Sequence, residues 1–121
     1  MMQTRFEFTL PLGYLDSEGR VHRQGEMRLA TARDEIESAA DPQVEANEAW
    51  LPAVLLSRVV TRLGAYAPVP PEVIAGLFAA DFAYLEDLYL QVNTAPGAPV
   101  PAVCPQCGYR FQVSLPPLED A

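Results

Sequence analysis

The run NEAWLPAVLLSRVVTRLG, residues 47–64, carries more aliphatic surface than any other part of the chain and has to be buried. Leu51, Val54, Leu55, Val59 and Leu63 recur at spacings of three and four, which predicts the apolar face of a helix with Arg58 and Arg62 near its edge. Asn47 reads as the N-cap, Pro52 falls in the first turns, and Gly64 is the stop. A chain of 121 residues has room for one core of this kind, burying roughly 65% of its unfolded surface. The other elements must therefore be arranged around this helix.

Upstream, RFEFTLPLGYL at 5–15 alternates around Phe6, Phe8 and Leu10, DSEG at 16–19 supplies turn residues, and RVHRQGEMRL follows with Val21, Met27 and Leu29. This is the pattern of a β-hairpin, with a bend at Pro11 and Gly13. Thr31 with Asp34 three positions on reads as a capping box opening a short, largely polar helix from Ala32 to Ala40, ended by Asp41-Pro42.

Downstream, Pro68, Pro70 and Pro71 break the chain, and PEVIAGLFAAD gives a short helix weakened at Gly76. Asp81 is then expected to cap FAYLEDLYLQVN, whose Phe82, Leu85, Leu88, Tyr89 and Val92 form one stripe. Three such helices pack into a small bundle. The expected class is α+β: an N-terminal β-hairpin, a small helical bundle and a C-terminal CxxC knuckle with a short strand. Residues 1–93 form the hairpin and helical body, 94–103 (TAPGAPVPAV) a Pro/Ala-rich linker, and 104–121 a zinc-knuckle-like tail.

The knuckle holds both cysteines. Cys104-Pro105-Gln106-Cys107-Gly108 has the spacing at which two thiolates share a tetrahedral Zn²⁺, and Tyr109, Phe111, Val113 and Leu115 then alternate like a strand. A closed structural site takes four ligands, whereas this chain offers Cys104, Cys107 and a single His22. The shell would be completed by a second copy in a homodimer, by a partner's ligands, or by His22 with a carboxylate. The pair also reads as a metal-free turn. Redox use is disfavoured because a glycine and a strand-like run follow the cysteines, where a reactive pair would sit at a helix N-terminus.

No catalytic set accompanies it. His22 lies between Arg20 and Arg23 with no nucleophile at motif spacing and reads as a solvated loop residue; Ser57 and Thr61 read as helix-surface residues without a base. The clusters Asp34-Glu35-Glu37 and Glu86-Asp87 read as solvated helix faces. Sixteen acidic residues against eight arginines give a net charge of −8, which opposes phosphate recognition and disfavours nucleic-acid and anionic-membrane partners. Residues 1–10 do not have the pattern of a cleaved leader and no apolar run approaches a membrane span, so cytoplasmic synthesis is expected.

Taken together, the hairpin, GEMRLATARDEIE, WLPAVLLSRVVTRLG, the proline break and PEVIAGLFAADFAYLEDLY resemble the small assembly chaperones of contractile phage tails and of phage-tail-like extracellular contractile injection systems. Arg28, Thr31, Asp34 and Glu35 match that group's R-x-x-T-x-x-D-E pattern, and Leu77 and Asp81 match its L-x-x-x-D element. The likeness covers about residues 5–93, and the CPxCG knuckle followed by F-x-V, Cys104 to Val113, is similar to that of the baseplate-hub chaperone branch. It implies a non-catalytic protein that keeps a tail or baseplate-hub component soluble until assembly. A permanent structural baseplate part with an intermolecular zinc site is the alternative.

Overall fold

Alternating apolar residues pair first with their nearest neighbours in the chain. In the computed structural model, which describes residues 2–94, 99–103 and 105–114, β1 (Arg5–Leu15) and β2 (Val21–Arg28) form an antiparallel hairpin with Arg5 opposite Arg28 and Leu15 opposite Val21. Phe8 and Leu10 point into the core and Phe6 packs at its margin, as their period of two requires. The register shifts between Thr9 and Tyr14, so β1 bulges at Leu10–Gly13, where Pro11 and Gly13 had predicted a bend. Gly13 adopts a φ of 105°, which disfavours a residue with a side chain.

The turn is built by Asp16. Its Oδ1 accepts the backbone N–H groups of Glu18 and Arg20, both at 2.9 Å, and Gly19 supplies the positive φ of 82°.

Four helices pack beside the sheet: α1 (Ala32–Ala39), α2 (Pro42–Ala46), α3 (Leu51–Val59), which continues a 3-10 turn over Glu48–Trp50, and α4 (Pro71–Ala75). A fifth, α5 (Ala79–Asn93), runs against β1 and α3. Asn47 caps the 3-10 turn, its Oδ1 accepting from the Ala49 N–H at 3.1 Å. The architecture is α+β.

The long helix expected over residues 47–64 is corrected. It ends at Val59, and Val60–Leu63 forms β3, antiparallel to β2 in a sheet of order β1-β2-β3. Val59, Val60 and Thr61 are β-branched and stiff at χ1, which favours the extended state once a partner edge is within reach. Thr61 donates to the Glu26 carboxylate at 2.7 Å across that pair. Gly25, opposite Leu63, admits this strand: a β-carbon there would meet the Phe8 ring and lie 2.6 Å from the Arg62 carbonyl oxygen.

Because the helix stops early, its buried face is Ala53, Val54, Leu56 and Val59, with Leu51 and Leu55 only half-buried. Leu10, Met27, Val59, Val60, Leu63, Ile74 and Leu85 form the fully buried centre between sheet and helices. Of the expected α5 stripe, Leu85 and Val92 are buried while Phe82, Leu88 and Tyr89 pack at the margin.

Asp34, read as part of a solvated helix face, and Asp81, read as a helix cap, are both internal. Asp34 caps α1 as its spacing from Thr31 predicts, with Thr31 N–H to Asp34 Oδ2 at 2.8 Å and Asp34 N–H to Thr31 Oγ1 at 3.4 Å. It is also buried, and Arg28 grips it with two 2.8 Å bonds while Arg58 Nε reaches Oδ1 at 3.3 Å. The Arg28 guanidinium holds its carboxyl well below the usual carboxylate range, against the opposing effect of burial, helped by the Thr31 amide and Arg58. Arg28 also donates to the Arg58 carbonyl at 3.0 Å, so the end of β2, the start of α1 and the end of α3 meet in one polar knot.

Asp81 does not cap its helix; α5 begins two residues earlier, with Phe78 at the N-cap position. Asp81 is instead fully buried, its two carboxylate oxygens each accepting a backbone N–H at 2.9 Å, from Leu12 and from Gly13. Those amides belong to the β1 bulge, where the β2 ladder leaves them without a strand partner.

Candidate functional site

Cys107, one of the two predicted metal ligands, lies in a C-terminal hairpin. β4 (Pro99–Val103) pairs antiparallel with β5 (Arg110–Ser114), Val103 opposite Arg110 and Pro99 opposite Ser114, in a two-stranded sheet of its own. Half of the stretch read as linker is therefore a strand. Its prolines occupy alternate positions, 99 and 101, so the missing N–H groups fall on one edge of the strand. Residues 105–109 precede β5, Gly108 has a φ of 72°, and Cys107 is exposed as a free thiol. Cys104 lies outside the described residues, so the pairing of the two thiolates does too. Among the described residues no cluster of three His, Cys, Asp or Glu side chains could hold a metal ion.

His22 is corrected from a loop residue to a member of β2, with its side chain only 11% exposed. Its Nε2 is 2.9 Å from Asp16 Oδ2, and the Ala65 N–H points at its Nδ1 from 3.4 Å, which fixes the proton on Nε2. The ring packs edge-on to Tyr66, 5.2 Å between centroids, and beside Tyr14 at 6.2 Å. Gly64 passes so close that a β-carbon would overlap the imidazole. Asp16 is held below its ordinary value, first by the His22 hydrogen bond and then by the Arg20 amide. With both ring nitrogens engaged, His22 cannot supply a zinc ligand without dismantling the turn. Among the described residues no serine, threonine or cysteine side chain hydrogen-bonds to His22 or Asp16.

The feature that sequence reasoning missed is an open apolar groove of about 400 Å³ between the start of α3, α4 and the start of α5. Ala53 and Ile74 are its buried floor, and Trp50, Leu77 and Phe82 its partly buried walls. Ala49, Ala75 and Ala79 stand exposed at its mouth, too short to close it, and Phe78 beside them is 50% exposed. The available signal was the set of small residues at three helix ends around the protein's one tryptophan, a pattern that local periodicity does not weigh.

An aliphatic and aromatic groove without a titratable side chain in its lining is suited to burying an apolar group, and supplies neither acid nor base. No described helix is long and apolar enough to cross a membrane. Comparison with protein-family models, with curated proteins and with solved structures found no match.

Proposed function

We propose that this chain is a non-catalytic assembly chaperone, made in the cytoplasm, for a baseplate-hub or tail component of a contractile phage-tail-like particle. The observation that carries the reading is the open apolar groove on a body with a net charge of −8. Such a groove shields apolar surface on an unassembled client, while the surplus charge keeps the pair dispersed. The sequence likeness supports the same reading, and its matched residues divide by role. Arg28, Thr31, Asp34, Glu35 and Asp81 bond within the scaffold, and Leu77 lines the groove.

Co-expression with candidate hub and tail proteins of a contractile particle tests the reading. One of them is expected to move from the insoluble to the soluble fraction, and particles purified to completion are expected to lack this chain. Recovery of the chain from particles at fixed stoichiometry would contradict chaperone status.

That second result would favour a permanent baseplate component with an intermolecular zinc site, a reading supported by the exposure of Cys107 on the β4–β5 connection and by the engagement of His22. The metal would then be held by Cys104 and Cys107 with ligands from a partner or a second copy. For a homodimer, about half a zinc ion per chain is expected, because a closed site takes four ligands and each chain brings two cysteines. Metal content and solution mass, compared between the wild type and a Cys104→Ser/Cys107→Ser variant, check it.

A further inference from the structure

We propose that the groove between α3, α4 and α5 receives an apolar anchor from a basic amphipathic segment of the client, whose cations the acidic rim engages. The proposal rests on the reading of the chain as a client-binding protein and specifies the chemistry of what it binds.

From Asp34 to Ser57 the chain has six acidic and no basic residues, and from Leu63 to Asn93 four acidic and no basic residues. Every residue lining the groove comes from these two stretches. The one cation on the groove's helices, Arg58, is already bonded to Asp34 and Glu37.

Glu48 precedes the mouth residue Ala49, Glu72 lies one turn before Ala75, and Glu86 one turn beyond Phe82; all three are exposed, and among the described residues none forms an ion pair. Partial desolvation, and then the neighbouring Asp87, raises the proton affinity of Glu86, so a cation brought beside it is favoured. A second copy of the chain would bring its own charge of −8 to this rim. An amphipathic helix with apolar anchors and flanking Lys or Arg meets both requirements, in the manner of helix-in-groove recognition.

Trp50 is the only tryptophan and sits in the groove wall, so its emission reports occupancy directly. The probes are a tryptophan-free amphipathic leucine–lysine peptide and the same peptide with glutamate at every lysine. The first is expected to give a saturable blue shift that weakens about tenfold as salt rises to ~0.5 M, and the second none. Glu48→Gln with Glu86→Gln is expected to weaken binding about fivefold or more, whereas Glu7→Gln with Glu18→Gln, removing equal charge elsewhere, leaves it within about twofold. Ala75→Arg, at an exposed position, is expected to abolish the shift with an unchanged circular dichroism spectrum.

Equal responses to the two peptides, equal losses from the two charge pairs, or burial of Trp50 by self-association without peptide would each overturn the proposal. If Ala75→Arg still keeps the client soluble, the groove proposal falls and the chaperone reading stands. If the peptide results hold but no tail or hub protein is kept soluble, the chaperone reading falls and the groove remains a site for basic segments.

Discussion

Asp81→Ala is expected to lower the stability of the folded chain by about 3–5 kcal/mol, read as a fall in the urea midpoint at unchanged slope. The carboxylate is fully buried, and each oxygen satisfies one backbone N–H of the β1 bulge at 2.9 Å. Truncation leaves two donors facing a dry space; an unsatisfied buried group costs about 1–3 kcal/mol, and the vacated volume adds to it. Asp81→Asn separates hydrogen bonding from volume. The amide keeps one acceptor but turns its own N–H₂ toward the other donor, so it should lose about 2–4 kcal/mol despite the conserved shape. Amide exchange at Leu12 and Gly13 should accelerate in both variants, since these are the two donors released. A loss below about 0.5 kcal/mol for Asp81→Ala would mean that the bulge finds other acceptors.

Asp81 also illustrates how far the sequence could be read. An aspartate ahead of an apolar stripe is a good N-cap candidate by local rules, and those rules are blind to a strand bulge nearly seventy positions upstream. The hairpin was legible because Phe6, Phe8 and Leu10 alternate, and the start of α1 because Thr31 and Asp34 carry a reciprocal capping pattern within four residues. Both are local. The end of α3 was not legible: helical spacing continues through Leu63, and only the edge of β2, with Glu26 receiving the Thr61 hydroxyl, draws Val60–Leu63 into the sheet. His22 was misread for a related reason. Its neighbours in sequence are arginines, but Asp16, Tyr66 and Ala65 reach it across the hairpin and from the segment after β3. The groove was hidden more deeply, since it is defined by what alanines at three helix ends leave unfilled.

The same contrast between local pattern and tertiary use makes Asp34 the second place where a single atom matters. Asp34→Asn is expected to cost about 2–4 kcal/mol at neutral pH. The low end reflects Arg28, whose side chain is 30% exposed and partly screened, and the high end reflects Asp34 itself, at 4%. The cost should depend on pH in a definite direction. Because the folded-state carboxyl is held far below its ordinary value, first by Arg28, the charged form binds the fold more tightly than the protonated form. Its contribution is complete above the unfolded carboxyl's pKa of about 4 and is lost progressively as pH falls from about 5 toward the depressed folded value.

The difference in unfolding free energy between wild type and Asp34→Asn should therefore be constant from about pH 6 to 8 and shrink below about pH 4. Glu26, held low first by the Thr61 hydroxyl, and Asp16, held low first by His22, also make the fold acid-sensitive. They remain in both proteins and cancel from the difference. A gap independent of pH down to about 3 would show that asparagine fails for reasons of shape, and the Arg28 grip would then be incidental to stability. Arg28→Ala provides the complementary measurement: it removes the first grip on the buried carboxylate while Arg58 and the Thr31 amide remain, and its deficit against wild type should likewise shrink as acid protonates Asp34.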